Sequence, residues 1–416
     1  MKIWIVNPYG TIPGEGWRDY RSHMLAQALR ARGHEVTWFI SDFVHRSKTY
    51  RPAVPVTADG VSVVPLHASA YASNISLERV CYERSFGQSF ADEAPQRLRP
   101  DVVVLADPSL FYSAPVVAFC RRQRCKLVLD VLDLWPELFD VVLPRLLRGM
   151  GRLVFAPLYA RRARVVSAAD GVVAVTGDYL ETVCPQARFP DKLRQVAYLG
   201  VDLHEFRRYL GNPEIVRSLA AFRDSASLVV GYAGTLGDAY DMDLLATAVE
   251  QCASQNLPIR FVVAGDGPKR DQFQALAARL PSTLRFLGAV PAQDLATVYG
   301  QCDVGLMSYV TGSTVSMPIK FYDYLAGGLA VVNSLGREAG GFIEARQVGL
   351  NYIPQNLPSL MQSLQTLAGN AALLRAYKAR ALLLAKDFDS PRQHDLFAAF
   401  IERLNASDLL GDFRTD

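Results

Sequence analysis

SLVVGYAGTLG, residues 227–237, is the stretch on which the fold turns. An apolar run, Leu228 to Val230, passes without alternation into Gly231, and Gly234 and Gly237 follow before a helical stretch. Apolar runs that do not alternate fit parallel strands covered on both faces, and a glycine loop between strand and helix is how a parallel βα unit continues. The pattern recurs after it, in IRFVVAGDGP (259–268), TLRFLGAV (283–290), CDVGLMSYV (302–310) and GLAVVNS (328–334). It also occurs before it. KIWIV (2–6) is a β-rich opening, NPYGTIPGEG (7–16) a Gly/Pro loop, and HEVTWFI (34–40) the next strand. Between them Trp17 to Arg32 carries Met24, Leu25, Ala28 and Leu29 at helical spacing, with Gly33 suited to cap its C-terminus. PDVVVLAD (100–107), CKLVLDVLD (125–133) and ADGVVAVTGDYLETV (169–183) continue the alternation. Residues 227–237 therefore begin a second series rather than extend the first.

Two doubly wound, Rossmann-like α/β domains are expected, at 1–200 and 205–390, with a mostly helical tail, 391–416, placed to pack back on the first. In open parallel sheets, ligands bind outside the C-terminal ends of the strands. Two such sheets facing each other would make a cleft walled by those loops.

The bulk composition narrows the function classes. Of 416 residues half are apolar and a fifth charged, and the formal net charge is +3. That balance does not suggest a nucleic-acid binder. The six cysteines, at 81, 120, 125, 184, 252 and 302, form no CxxC and no Cys/His metal spacing, and read as buried thiols of a reducing compartment. The apolar start is too short for a secretory leader and Asn7-Pro8 ends it, so a cytoplasmic location is expected. No run approaches the ~18 apolar residues that cross a bilayer.

Several loops could hold an anion. Gly234 and Gly237 would let backbone approach a phosphate at a helix N-terminus, or simply make a tight strand-to-helix turn. AGDGP (264–268) is open to the same two readings. Neither GxGxxG nor GxxxxGK[ST] is present. Asp241-Met242-Asp243 has the form of a metal-diphosphate motif, but acids also favour the first turn of a helix. In SMPIKFYDYLAGG (316–328), Lys320 and Asp323 are neighbours on one helical face. A cation near a helix N-terminus opposes the dipole, so Lys320 needs an anionic partner, either Asp323 or a bound phosphate. In PGEGWRDYR (13–21), Gly14 and Gly16 precede a helix bearing Arg18 and Arg21, which suit an anionic ligand or are simply solvated. LDVLDLWPEL (129–138) ends a strand in acid, acid, indole and proline. Either Asp130, Asp133 and Trp135 face a sugar, or Asp133 caps a helix and Trp135 is core.

Four of these stretches in this order resemble a retaining glycosyltransferase of family 4 with the two-domain GT-B fold: PGEGWRDYRSHMLAQALRARGHEV, GYAGTLGDAYDMDLL, VVAGDGP and MPIKFYDYLAGGLAVVNS. DVLDLWPE resembles a D-x-x-D-L-W-P-E segment of the bacterial branch that holds N-acetylfucosaminyl transferases of O-antigen and capsule synthesis. The resemblance spans residues 1 to about 390 and implies a nucleotide-sugar donor, UDP-linked, held by the second domain without metal or other cofactor. It places Gly234 and Gly237 at the diphosphate, Gly288, Ala289 and Val290 at the base, Asp323 at the ribose hydroxyls and Lys320 at the phosphates. A glycan or polyprenyl-diphosphate-linked acceptor would lie against Gly14, Gly16, Arg18, Trp135 and Glu137. Asp130 and Asp133 would act with Lys320 as catalytic residues. The chain departs from the family pattern in three places. The first acid of the E-x7-E motif falls at Val315, the second is Asp323 rather than Glu, and Asp238 follows Gly237 where many members carry cations.

PRLLRGMGRLVFAPLYARRARVV (144–166) mixes apolar residues with six arginines, which suits either an interfacial helix on anionic lipid or a solvated helix packed on its own domain. The rival functional readings are a non-catalytic sugar-nucleotide-binding partner of a glycan assembly complex and a nucleotide-sugar epimerase of similar fold.

Overall fold

The computed structural model describes residues 1–15, 21–52, 57–143, 150–223 and 227–411. The chain divides into two units: Met1–Tyr198 with Pro391–Asp416, and Leu199–Ser390.

The first unit is built on an eight-stranded sheet. Its strands are β1 (Lys2–Val6), β2 (Glu35–Ser41), β5 (Thr57–Ala58), β6 (Val61–Leu66), β7 (Val102–Asp107), β8 (Lys126–Val131), β9 (Gly171–Ala174) and β10 (Leu193–Val196), while β3 (Phe43–Val44) and β4 (Thr49–Tyr50) pair separately. The order is β10-β9-β8-β7-β1-β2-β6-β5, parallel except where β5 meets β6. The chain winds outward from β1 through β2 to β6, then crosses to β7 and winds the other way. The switch point therefore lies between β1 and β7, where loops diverge and ligands bind in open α/β sheets.

The core explains the unbroken apolar strands. Ile3, Ile5, Trp38, Val102 and Val104 pack with Leu25 and Leu29 of the helix Arg21–Ala31, which ends at Gly33 with φ +82°. The C-terminal helix Ser390–Gly411 covers the same core through Phe397, Phe400, Ile401 and Leu404. Arg32 fastens it at 2.7 Å to both Asp395 and Glu402.

The second unit carries a six-stranded, wholly parallel sheet: β11 (Leu228–Ala233), β12 (Ile259–Ala264), β13 (Leu284–Phe286), β14 (Val304–Met307), β15 (Ala330–Asn333) and β16 (Gly349–Asn351). Its order, β13-β12-β11-β14-β15-β16, again reverses beside the first strand, between β11 and β14. Val230, Leu245, Phe261, Val263, Leu306, Val332 and Leu360 share one core. All six cysteines are free thiols, and only Cys81 is exposed. Among the described residues no helix is long and apolar enough to cross a membrane.

Candidate functional site

In the second unit three glycine loops lie side by side at the C-terminal ends of consecutive strands. The Gly234 amide donates to Ala264 O (3.1 Å), the Leu236 amide to Asp266 O (2.9 Å), and the Gly265 amide to Gly288 O (2.7 Å). Gly234 and Gly265 take φ +151° and +148°, and a Cβ on Gly265 would stand 1.9 Å from Gly234 O. Only glycine permits that approach. Ala289 is exposed and Val290 half-buried beside Gly288, whose φ is +66°.

Lys320 closes this layer from beneath. It lies in the first turn of the helix Ile319–Ala326, which begins after Pro318. Its ammonium is buried and has no hydrogen-bond partner. It sits 4.2 Å from the Tyr232 ring centroid, 4.4 Å from that of Tyr240 and 5.4 Å from that of Tyr309. Burial lowers its pKa to about 7, against the pull of the Asp323 charge. Asp323 is itself buried one turn further along the helix, but it does not accept a hydrogen bond from this ammonium. Three ring faces steady a cation, yet a desolvated ammonium with no acceptor stays costly, and an anion at the glycine loops would meet it. The Tyr240 and Tyr309 rings meet tilted, centroids 4.9 Å apart, and the two residues share a backbone bridge, tying the β11 loop to the β14 loop. The signal for this tyrosine cage was absent from sequence, because its three members come from separate loops and a strand.

The aspartates of the possible metal motif have other work. Asp241 caps the helix Met242–Ser254 by accepting from the Leu244 amide at 3.3 Å, and Asp243 binds the Lys269 ammonium at 2.8 Å.

In the first unit a cavity of about 550 Å³ opens at the switch point, on the loops after β1, β3, β7 and β8 and the start of the helix Leu77–Glu93. Of the expected residues, Asp133 and Trp135 line it. The Asp133 carboxylate accepts from the Leu134 amide at 2.8 Å and from the Trp135 side chain, and burial raises its pKa. One face of Trp135 is covered by the Arg79 guanidinium, 4.1 Å from the ring centroid.

Three expectations need correction. Asp130 does not line the cavity: it is buried beneath the sheet end, and both its oxygens take Arg21 Nε at 2.9 Å. Arg21, in turn, is not solvated: its Nη1 also donates to Ala197 O at 2.8 Å, while its buried Nη2 has no hydrogen-bond partner. Glu137 does not line the cavity either: Arg162 grips its carboxylate at 2.5 and 2.6 Å while also donating to Trp135 O at 2.8 Å. These three hydrogen bonds tie the loop that carries Asp133 and Trp135 to Arg162. Gly14 makes a turn at φ +92° away from the cavity lining. Gly16 and Arg18 lie outside the described residues. Sequence reading missed the strongest cavity residues, Asp107, His45 and Arg79. Asp107 closes the quoted strand PDVVVLAD, and a buried strand ending in acid was the available signal.

The arginines of 144–166 divide. Arg162 and Arg161 turn inward, the latter 5.1 Å from the Phe111 centroid. Met150, Leu153 and Val154 are exposed beside the exposed Arg152, and residues 144–149 lie outside the described part.

Two doubly wound α/β units, each with loops gathered at the C-terminal ends of its strands, have the GT-B fold. Residues 19–199 match the family model of the glycosyl transferase 4-like domain, and residues 227–370 that of the glycosyl transferases group 1. Two glycosyltransferase-family models thus match separate parts of the chain, one in each unit. Solved structures agree on the fold. A sucrose-phosphate synthase from Thermosynechococcus elongatus is 15% identical with a TM-score of 0.72, covering 98% of this chain and 99% of that one. Anabaena HepE in complex with UDP is 17% identical with a TM-score of 0.65, over 98% and 100%. An E. coli trehalose-6-phosphate protein bound with UDP-2-fluoro glucose is 15% identical with a TM-score of 0.66, over 97% and 99%. No curated protein matches the chain.

Proposed function

We propose that the protein transfers a sugar from a nucleoside diphosphate, uridine in type, to a hydroxyl of a glycan or lipid-linked acceptor, with the anomeric configuration kept. The observation that carries the reading is the buried, unpartnered Lys320 ammonium against Gly234. In the reaction the bond from the anomeric carbon to the phosphate oxygen breaks, a bond to the acceptor oxygen forms, and the acceptor hydroxyl's proton passes to the departing diphosphate. The departing diphosphate gathers negative charge, and preorganised donors aimed at that charge lower the barrier. Lys320 supplies such a donor, so no metal is invoked. Gly288, Ala289 and Val290 border the base, and Asp323 takes the ribose hydroxyls. The uridine assignment draws support from the complexes of HepE with UDP and of the trehalose-6-phosphate protein with a UDP sugar. The bacterial N-acetylfucosaminyl branch and a role in surface polysaccharide synthesis rest on the D-x-x-D-L-W-P-E resemblance. Peripheral contact with anionic lipid would use Met150, Leu153 and Val154 with Arg152.

The test is calorimetric titration of the protein with UDP, GDP and ADP, repeated on Asp323→Ala. Selective binding of UDP, weakened by the substitution, is the expected result. A folded protein that binds none of the three would overturn the reading.

A further inference from the structure

The way one helix ends brings two cysteines together. The helix Ser113–Gln123 stops at Arg124, which takes the left-handed conformation at φ +52°. The Arg124 amide donates to Arg121 O at 3.4 Å, and the Cys125 amide to Cys120 O at 3.1 Å. Those are the two hydrogen bonds of a Schellman cap, which folds the side chain just past the left-handed residue onto the last helical turn. In most such caps the contact is between apolar groups. Here both positions are cysteine, and the two side chains hydrogen-bond to each other. Cys125 Sγ also donates to Cys120 O at 3.9 Å. Both are free thiols in this structure.

The pair lies just beneath a cationic surface. Cys120 is 3% exposed and Cys125 9%, while Arg121, Arg122 and Arg124 are exposed. Arg99, also exposed, adds its guanidinium by donating Nη2 to Arg124 O at 2.7 Å. The nearby Asp170 carboxylate is taken by the Leu127 amide at 2.8 Å. Cations beside a thiol, and a second thiol able to donate to its sulfur, favour the thiolate. Burial pushes Cys252 and Cys302 up to about 12. Cys125 is instead held below the usual thiol range, first by the hydrogen bond from Cys120 and also by Arg99, against its burial. Cys120, the donor, is raised. An acidified thiol touching a second thiol is the arrangement of an attacking and a resolving sulfur.

We propose that Cys120 and Cys125 form an oxidisable dithiol, a modification site for hydroperoxides in which Cys125 attacks and Cys120 resolves. The Cys125 thiolate attacks one peroxide oxygen, the O–O bond breaks, and the other oxygen takes a proton to leave as water or an alcohol. Cys125 is then a sulfenic acid. The Cys120 sulfur attacks it, an S–S bond forms, the S–O bond breaks, and the released hydroxide takes the Cys120 proton as water. The two thiols give up a pair of electrons and the peroxide gains them. A small oxidant suits a sulfur so little exposed. The product ties the end of this helix to the residue that precedes β8, across a cap otherwise held by hydrogen bonds.

The experiment treats the full chain, carrying Cys81→Ser to remove the exposed thiol, with hydrogen peroxide in slight excess. Trypsin digestion follows, with and without reduction. Trypsin cuts at the arginines between the two cysteines, so only a disulfide keeps them in one fragment. The expected result is the loss of two thiols, a fragment linking Cys120 to Cys125 in the unreduced digest, and recovery of both thiols with dithiothreitol. Cys120→Ser should leave Cys125 as a sulfenic acid that dimedone traps, and Cys125→Ser should leave Cys120 unoxidised. Should either serine variant lower the melting temperature, Arg99→Gln serves instead, and it should slow formation of the linked fragment. Peroxide that spares Cys120 and Cys125 while consuming Cys184, Cys252 or Cys302 overturns the proposal. So does a pair that oxidises only in denaturant.

Discussion

The Lys320 ammonium stops 3.1 Å from the point where a Cβ on Gly234 would stand. A charged side chain from a helix and a bare backbone from a strand-end loop are thereby in direct contact, with tyrosine rings around the charge. The geometry leaves the ammonium one open requirement, an anion arriving over the glycines.

Lys320→Met should separate the two roles of the charge. Nucleoside diphosphate affinity is expected to fall about tenfold to a hundredfold, the worth of a hydrogen bond to a charged group. Affinity for uridine itself should stay. Thermal stability of the ligand-free protein should rise, because an unpaired buried charge is gone. An unchanged affinity for UDP would remove Lys320 from the phosphate site.

Donor binding should depend on pH through the same group. In the free protein the lysine titrates at about 7, below its unfolded value of 10.5. Between those values the unfolded chain binds more protons, so stability rises with pH across that window and the burden of the charge is fully present below it. Diphosphate favours the ammonium, so the sign for binding is opposite: affinity is highest below about 7 and declines as pH rises, with proton uptake on binding. Calorimetry in buffers of different ionisation enthalpy measures that uptake. Lys320→Met should abolish it.

Glycine substitutions should differ by position. A Cβ on Gly265 meets backbone at 1.9 Å, whereas one on Gly234 meets the end of the Lys320 side chain at 3.1 Å. Gly265→Ala should cost well over ~1 kcal/mol and lower the melting temperature. Gly234→Ala should be milder for stability and harsher for UDP binding, since it displaces the ammonium. The reverse ranking would contradict the stacked-loop geometry.

Glu137→Ala should loosen the loop that carries Asp133 and Trp135. Arg162 would be left buried without its carboxylate, at a cost of about 3 kcal/mol. Chemical denaturation checks that figure, and Glu137→Gln should recover part of it. Full stability in Glu137→Ala would mean the pair is ornamental.

Vesicle flotation tests the exposed apolar face. The protein should float with anionic vesicles at low salt and release as salt rises, and Leu153→Glu should abolish flotation. No flotation at low salt would leave Arg152 and its neighbours as ordinary solvated surface.

The α/β architecture was legible because buried parallel strands announce themselves as apolar runs followed by glycine. β11 and β12 each read that way, while β14 and β15 showed only the apolar run. β16 did not, since Gly349–Asn351 is three residues long and mostly polar or glycine. The glycine loops were legible one at a time, but their stacking was not, because hydrogen bonds such as Gly265 to Gly288 link distant segments. Asp130 misled for a physical reason: an acid at a strand end faces either a ligand or a partner beneath the sheet. The partner, Arg21, was itself read as either a ligand group or a solvated side chain. Asp107 escaped notice because a single acid closing a strand carries no motif. Only the fold reveals that one of its oxygens is orphaned.

The return of the helix Ser390–Gly411 to the first core has a consequence for biosynthesis. Phe397, Phe400, Ile401 and Leu404 complete the core that Ile3 and Leu25 begin. The ribosome therefore releases the whole second unit before it releases the last piece of the first. The unit encoded first closes last, and a stop codon just past Ser390 would spare the later unit's chain while leaving the earlier one's hydrophobic face uncovered.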